Sequence, residues 1–171
     1  MRVVLVTKPG HSDSGVGRYT QTLETALRQQ GHEVVVIHPQ IPLPDSWLAA
    51  CRSRFGIDLT AFLNNYPIWV RYPKADVYHI SSQNLATLLL WRRPRGKVVL
   101  TVHDIIPWMT RNDPEIGVYN HAIERFFDWL ALQGIRRADR VLTDSDYTQQ
   151  TLARELGTAV PPMKTVLLGV D

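Results

Sequence analysis

The stretch RVVLVTKPGHSDSGVGRYTQTLETALRQQGHEVVVIH, residues 2–38, decides the fold. It opens on RVVLVT (2–7), a continuous apolar run expected of a strand covered on both faces. From Val16 onward the pattern changes: Val16, Tyr19, Leu23, Ala26 and Leu27 recur at helical spacing, and Gly31 supplies a stop. EVVVIH (33–38) then reads as a second strand. Strand, helix and strand in this order make a parallel crossover unit.

The alternation resumes after a break. Residues 39–75 hold Pro39, Pro42, Pro44, Pro67 and Pro73, and predict loops with short helices around 47–53 and 59–63. DVYHI (76–80), KVVLTV (97–102), RVLT (140–143) and KTVLL (164–168) read as strands. A helix-like segment lies near 83–90. Asp113-Pro114-Glu115 has the chemistry of a helix start, with Ile116, Tyr119, Ile123, Phe127 and Leu130 expected on one buried face. Ser145 or Asp144 is expected to cap a helix ending near Gly157. Six strands alternating with helices predict an α/β fold, a Rossmann-like doubly wound parallel sheet sandwiched by helices, with right-handed crossovers. With 171 residues, one such domain spanning 1–171 is expected.

Composition bounds the class. A hydrophobic fraction of 44% and a charged fraction of 20% are those of a globular domain. No apolar run approaches the roughly 20 residues that cross a bilayer, and MRVVLV enters a strand without the marks of a signal peptide. The single cysteine, Cys51, forms no internal disulfide and fits a reducing, cytoplasmic setting. Net charge is +3, but the cations cluster in WRRPRGK (91–97) and GIRRADR (134–140). Two solvated loops explain this clustering, and so does peripheral contact with an anionic surface at the inner face of a membrane. No nucleic-acid motif accompanies the charge, so nucleic acid is not an expected partner.

Open parallel sheets bind ligands beyond the carboxyl ends of their strands. The residues to inspect are therefore 8–18, Ser81–Gln83, His103–Asp104 and Asp144–Asp146. The loop SDSGVGRYT (12–20) is no dinucleotide fingerprint: Thr20 stands where a third glycine belongs, seven residues separate Thr7 from Gly15, and His38 ends the second strand in place of an acid. It is no P-loop either, since no G-K-[ST] follows. Gly15 and Gly17 nevertheless fall at a helix N-terminus, where free N–H groups attract anions and a missing Cβ admits a ligand. A turn or tight helix–sheet packing is the alternative cause. His103 can exchange hydrogen bonds with a polar substrate, with Asp104 as a candidate to orient it, whereas His79 is expected to be buried and hydrogen-bonded. His11, His32, His38 and His121 show no ligand spacing, so neither a metal nor another cofactor is expected.

Five segments recur in one order: GVGRYT (15–20), DVYH (76–79), VVLTVHD (98–104), ADRVLTDS (138–145) and the closing GVD. Together they resemble the N-terminal domain of family 4 glycosyltransferases of the GT-B fold, mannosyltransferase-like members above all. The resemblance implies two Rossmann-like domains facing a cleft, the first binding mainly the acceptor and the second the nucleotide-sugar donor. It implies a retaining transfer of a sugar such as mannose to a glycan, lipid or small-molecule acceptor, without a metal. The backbone of Gly15, Val16 and Gly17 would lie against the donor's diphosphate or sugar, with Arg18 and Tyr19 beside the same cleft and His103 as the catalytic contact to the donor sugar. Asp104 belongs to the same binding set, and Ser145 is matched as a ligand contact or a helix cap. No two glutamates here have the E-x7-E spacing of the family's second domain, and Leu168 replaces asparagine in the closing segment. The chain is thus expected to be half an enzyme, lacking its C-terminal partner and nearly inactive alone. The competing reading is a non-catalytic module docking on a membrane or protein. Oriented backbone dipoles and an imidazole suit a departing diphosphate, which requires charge stabilisation more than a strong base.

Overall fold

The computed structural model describes residues 1–9, 14–56, 58–119 and 122–167. Strand β1 (Arg2–Val6) leads to helix α1 (Gly15–Gln29) and strand β2 (Glu33–Ile37), as the opening stretch requires. The proline-rich region contributes only α2 (Asp45–Phe55) and α3 (Leu59–Asn65). Strand β3 (Val77–Ile80) is followed by a 3₁₀ turn (Gln83–Thr87) running into α4 (Leu88–Trp91), so the helix-like segment there is of mixed type. Then come β4 (Lys97–Val102), α5 (Ile106–Met109), α6 (Ala122–Ile135), β5 (Arg140–Thr143), α7 (Asp146–Leu156) and β6 (Met163–Thr165).

All six strands form one parallel sheet in the order β2-β1-β3-β4-β5-β6. The chain leaves β1 toward β2 on one side and later fills in β3 through β6 on the other. The order therefore reverses between β1 and β3, which places the switch point there. This is the Rossmann-like architecture the alternation predicts.

Strand alternation divides the core. Val3 and Leu5 of β1 pack with Val34 against Leu23 and Leu27 of α1. Val4 and Val6 face the other way, into a larger cluster with Ile80, Leu85, Val98, Leu100, Ile135 and Leu152. Each such fully buried aliphatic contributes about 1.5–3 kcal/mol relative to exposure. Helix α6 approaches the 3₁₀ turn backbone to backbone: a Cβ on Gly134 would lie 2.0 Å from the Ala86 carbonyl oxygen. At the end of α1, Gly31 takes φ +78°, the left-handed conformation that ends a helix at low cost.

Three expectations need correction. No helix opens at Asp113. Its carboxylate accepts from the N–H groups of Glu115 and Ile116, but the Gly117 N–H bonds to the Asp113 carbonyl oxygen and the turn closes there. A Cβ on Gly117 would come within 2.4 Å of that same oxygen, so glycine permits the doubling back. The buried face of α6 is accordingly Ala131, Leu132 and Ile135, and Ile116 and Ile123 lie exposed. The last strand is also shorter than KTVLL, although the Val166 N–H extends the ladder to the Thr143 carbonyl oxygen. Leu168 and the closing GVD, like His11 and His121, lie outside the described residues. Among those described, no helix is long and apolar enough to cross a membrane.

Candidate functional site

Thr7, Ser81, His103 and Asp144 each follow a strand, so the parallel sheet brings them to one carboxyl edge. Helix α1 begins beside this edge because Ser14 caps it, its hydroxyl accepting from the Gly17 N–H at 3.0 Å. One turn into α1, Tyr19 reaches down between the strand ends. Its hydroxyl meets Thr101 Oγ1 at 2.8 Å and His79 Nε2 at 3.3 Å, and Thr101 also meets His79 at 2.8 Å. Val77 and His79 alternate with Tyr78 and Ile80, so the pleat of β3 presents His79 to the α1 side, buried as expected. Burial first, then the nearby His103 charge, hold the His79 imidazole down to about 4. Burial raises the Tyr19 phenol.

The Tyr19 ring stands edge-on to that of His103, with centroids 5.2 Å apart. The first turn of α1 and the histidine after β4 therefore share one edge. His103 Nδ1 lies 2.6 Å from Asp144 Oδ2, and Nε2 lies 2.9 Å from the Ser81 carbonyl oxygen. Both partners are acceptors, so a hydrogen on Nδ1 is donated to Asp144 and one on Nε2 to the Ser81 carbonyl oxygen. The ring thus ties together the ends of β3, β4 and β5. Its main-chain N–H is met by Gln83 Oε1 at 3.3 Å.

Asp104 does not orient His103. Its Oδ1 turns to the Ile106 N–H, 3.2 Å away, and Asp144 takes the orienting place. Asp144 stands in a strand-end position that the topology marks for inspection, but its pairing with a residue 41 positions away leaves no local signal. Ser145 acts as the cap of α7, accepting from the Thr148 N–H at 3.1 Å. Gly15 is exposed; neither a positive φ nor a packing neighbour calls for glycine, since a Cβ there would meet nothing within 4 Å. Packing among the described residues thus supplies no cause for it. Arg18 is exposed on the same first turn.

A second feature adjoins the edge. Asp104 lines a cavity of about 500 Å³ between α3, the 3₁₀ turn, α5 and α6. On its wall the Asp128 carboxylate accepts from the hydroxyl of Tyr66 at 2.5 Å and from that of Tyr119. Burial and the bonds to Asp128 push both phenols above their usual range. Nearby, Asn65 Oδ1 accepts from Lys8 and, at 2.8 Å, from Asn84. Burial lowers the Lys8 amine against the opposing pull of Asp128. These residues come from segments far apart in the chain, none with a recognisable motif.

The two basic segments meet at the opposite, amino-terminal edge. Arg93 bonds to Asp139 at 2.5 Å and to the Arg137 carbonyl oxygen at 3.1 Å, beside exposed Arg92, Arg95, Arg140 and Trp91.

The sequence model of a family described as Glycosyltransferase Family 4 matches residues 14–171. Among solved structures, the chain is similar to sucrose-phosphate synthase from Thermosynechococcus elongatus, with a TM-score of 0.63 and 12% identity over 100% of this chain and 49% of that one. It is also similar to an alpha-glucosyltransferase solved with UDP and a 13-mer DNA containing a HMU base, with a TM-score of 0.52 and 17% identity over 96% of this chain and 41% of that one. The chain spans about half the length of these structures. No curated protein matches it. The likeness is one of fold, and the fold is that of the N-terminal domain of GT-B proteins.

Proposed function

The chain belongs to glycosyltransferase family 4, and from that premise we propose that it is the acceptor-side half of a retaining GT-B enzyme. The enzyme transfers a sugar, mannose in our reading, from a nucleotide-sugar donor to an acceptor, and a C-terminal nucleotide-sugar domain supplies the other wall of the cleft. The observation that carries this reading is the 5.2 Å edge contact between Tyr19 and His103, which joins the first helix and the imidazole along one carboxyl edge of the sheet.

On that surface the backbone of Gly15, Val16 and Gly17, exposed at Gly15, takes the donor's diphosphate or sugar, with the positive end of α1 and Arg18 favouring the anion. His103, held by Asp144 and the Ser81 carbonyl oxygen, presents an oriented imidazole where negative charge develops on the leaving group. Asp104 stands between this edge and the cavity, within reach of the acceptor side. Ser145 contributes by holding α7 beside His103. Neither a metal nor another cofactor enters the scheme.

The test is a titration of the chain with GDP- and UDP-hexoses, followed by nuclear magnetic resonance, and a transfer assay with and without the C-terminal half. We expect weak binding with shifts at residues 15–19 and 103, no turnover alone, and turnover on reunion. Shifts confined to the amino-terminal edge would overturn the reading.

A second reading, docking on an anionic membrane at its cytoplasmic face, is favoured by one observation. Segments 91–97 and 134–140 converge on a single basic edge with an exposed tryptophan. Tryptophan suits the lipid headgroup level and basic residues suit anionic lipid. This edge is opposite the cleft, so docking and transfer are compatible.

A further inference from the structure

The cavity beside Asp104 has a composition that singles out a ligand. Its walls are aromatic: Phe62, Tyr66, Trp108 and Tyr119 all line it. These rings are fixed in advance. Tyr66 stacks on Phe127 with centroids 5.3 Å apart, and its hydroxyl is anchored on Asp128. The Trp108 N–H donates to Glu155 at 2.7 Å, with the Arg111 guanidinium 4.4 Å from the ring centroid. A prearranged wall loses little entropy when a ligand arrives.

The polar groups are acidic or neutral. Asp104, Glu124 and Asp128 present carboxylates, and Asn65, Gln83 and Asn84 present amides. Among the described residues, no lysine, arginine or histidine lines the cavity. The neighbouring Lys8 amine is directed to Asn65. Carboxylate oxygens accept several hydrogen bonds each, and hydroxyl groups are suitable donors. Aromatic faces suit the C–H surface of a ring that carries such hydroxyls. A phosphate or carboxylate would face carboxylates on a wall that, among the described lining residues, carries no cation, while the neighbouring Lys8 and Arg111 are engaged with Asn65 and Trp108. The size falls in the usual range of small-molecule sites.

We infer that this cavity binds a neutral, hydroxyl-rich sugar ring and discriminates against its phosphorylated or carboxylated counterparts. This rests on the transferase reading only in making that ring the acceptor.

The experiment needs no donor. The 171-residue chain is titrated with glucose, mannose, galactose and their methyl glycosides, and with the corresponding 6-phosphates, and resonance shifts are followed. At least one neutral sugar should bind saturably with shifts at Asn65, Tyr119 and Asp128, and its 6-phosphate should bind at least tenfold more weakly. Asp128→Asn should weaken the neutral sugar at least tenfold with an unchanged circular dichroism spectrum. Gln83→Ala, which leaves the tyrosine–carboxylate bonds intact, should weaken it severalfold and serves if Asp128→Asn does not fold. No saturable binding by any neutral sugar, equal or tighter binding of the 6-phosphate, or shifts clustered elsewhere would overturn the inference. Such a failure leaves the donor-side titration at residues 15–19 and 103 to stand or fall on its own result.

Discussion

His103 and Asp144 meet at 2.6 Å across the carboxyl ends of β4 and β5, although 41 residues separate them in the chain. The contact is largely shielded, with 15% and 20% of the two side chains exposed. A charge-assisted hydrogen bond in such a place is worth about 1.5–3 kcal/mol. A double-mutant cycle on His103→Ala and Asp144→Ala, read by urea denaturation, should therefore give a coupling energy above about 1 kcal/mol. In the proposed two-domain enzyme Asp144→Asn should reduce turnover, because the imidazole loses the partner that orients it. Strict additivity of the two substitutions would remove the pair from the account.

The reading of the sequence succeeds and fails for physical reasons that these residues display. The cores of RVVLVT and KVVLTV, VVLV and VVL, are unbroken apolar runs because both faces of the central strands are covered, so they stand out without any partner being known. Ser145 is legible because a cap acts on an amide three residues away. Asp113 has equally good local chemistry, but the turn it opens ends at Gly117, where backbone crowding and not capping decides the path. Asp144 and the Tyr66–Asp128–Tyr119 cluster are set by contacts between distant segments, and no local period encodes those.

His79 makes the fold sensitive to acid. Its folded value of about 4 lies below the ordinary 6.5, so between these limits the unfolded chain binds a proton that the folded chain refuses. Stability is thus whole above pH 6.5 and declines as pH falls toward 4. The gap corresponds to about 3 kcal/mol. Denaturation midpoints measured across this window should fall with pH, and His79→Gln, which keeps a polar partner for Tyr19 and Thr101, should flatten that decline. An unchanged slope would mean that other groups carry the acid sensitivity.

Two glycines should respond oppositely to alanine. At Gly134 the new Cβ meets the Ala86 carbonyl at 2.0 Å, backbone that cannot swing aside, so a loss of about 1–3 kcal/mol or more is expected. At Gly15 it meets nothing, and the midpoint should stay within about 0.5 kcal/mol of the original. If donor phosphate approaches that first turn, Gly15→Ala should still depress transfer by the two-domain enzyme at least tenfold. Full transfer by a stably folded Gly15→Ala enzyme would take the turn out of the donor site.

The basic edge gives a prediction independent of the cleft. Asp139 sits among its cations: burial alone would raise its carboxyl, but the Val98 N–H and Arg93 hold it below the usual range, so it stays charged and neutralises part of the patch. Arg92 and Arg95 are exposed, and no hydrogen bond or ion pair engages their side chains among the described residues, which leaves them available to an anionic surface. Each basic residue close to such a surface contributes about 1 kcal/mol. Replacing both with serine should therefore weaken binding to phosphatidylserine vesicles about thirtyfold, and raising the salt concentration should weaken the original chain in the same direction. Arg93 is left in place because its bonds to Asp139 and the Arg137 carbonyl oxygen brace the edge. Sedimentation with vesicles that is equally strong for the double variant, or that ignores salt, would move the docking surface elsewhere on the domain.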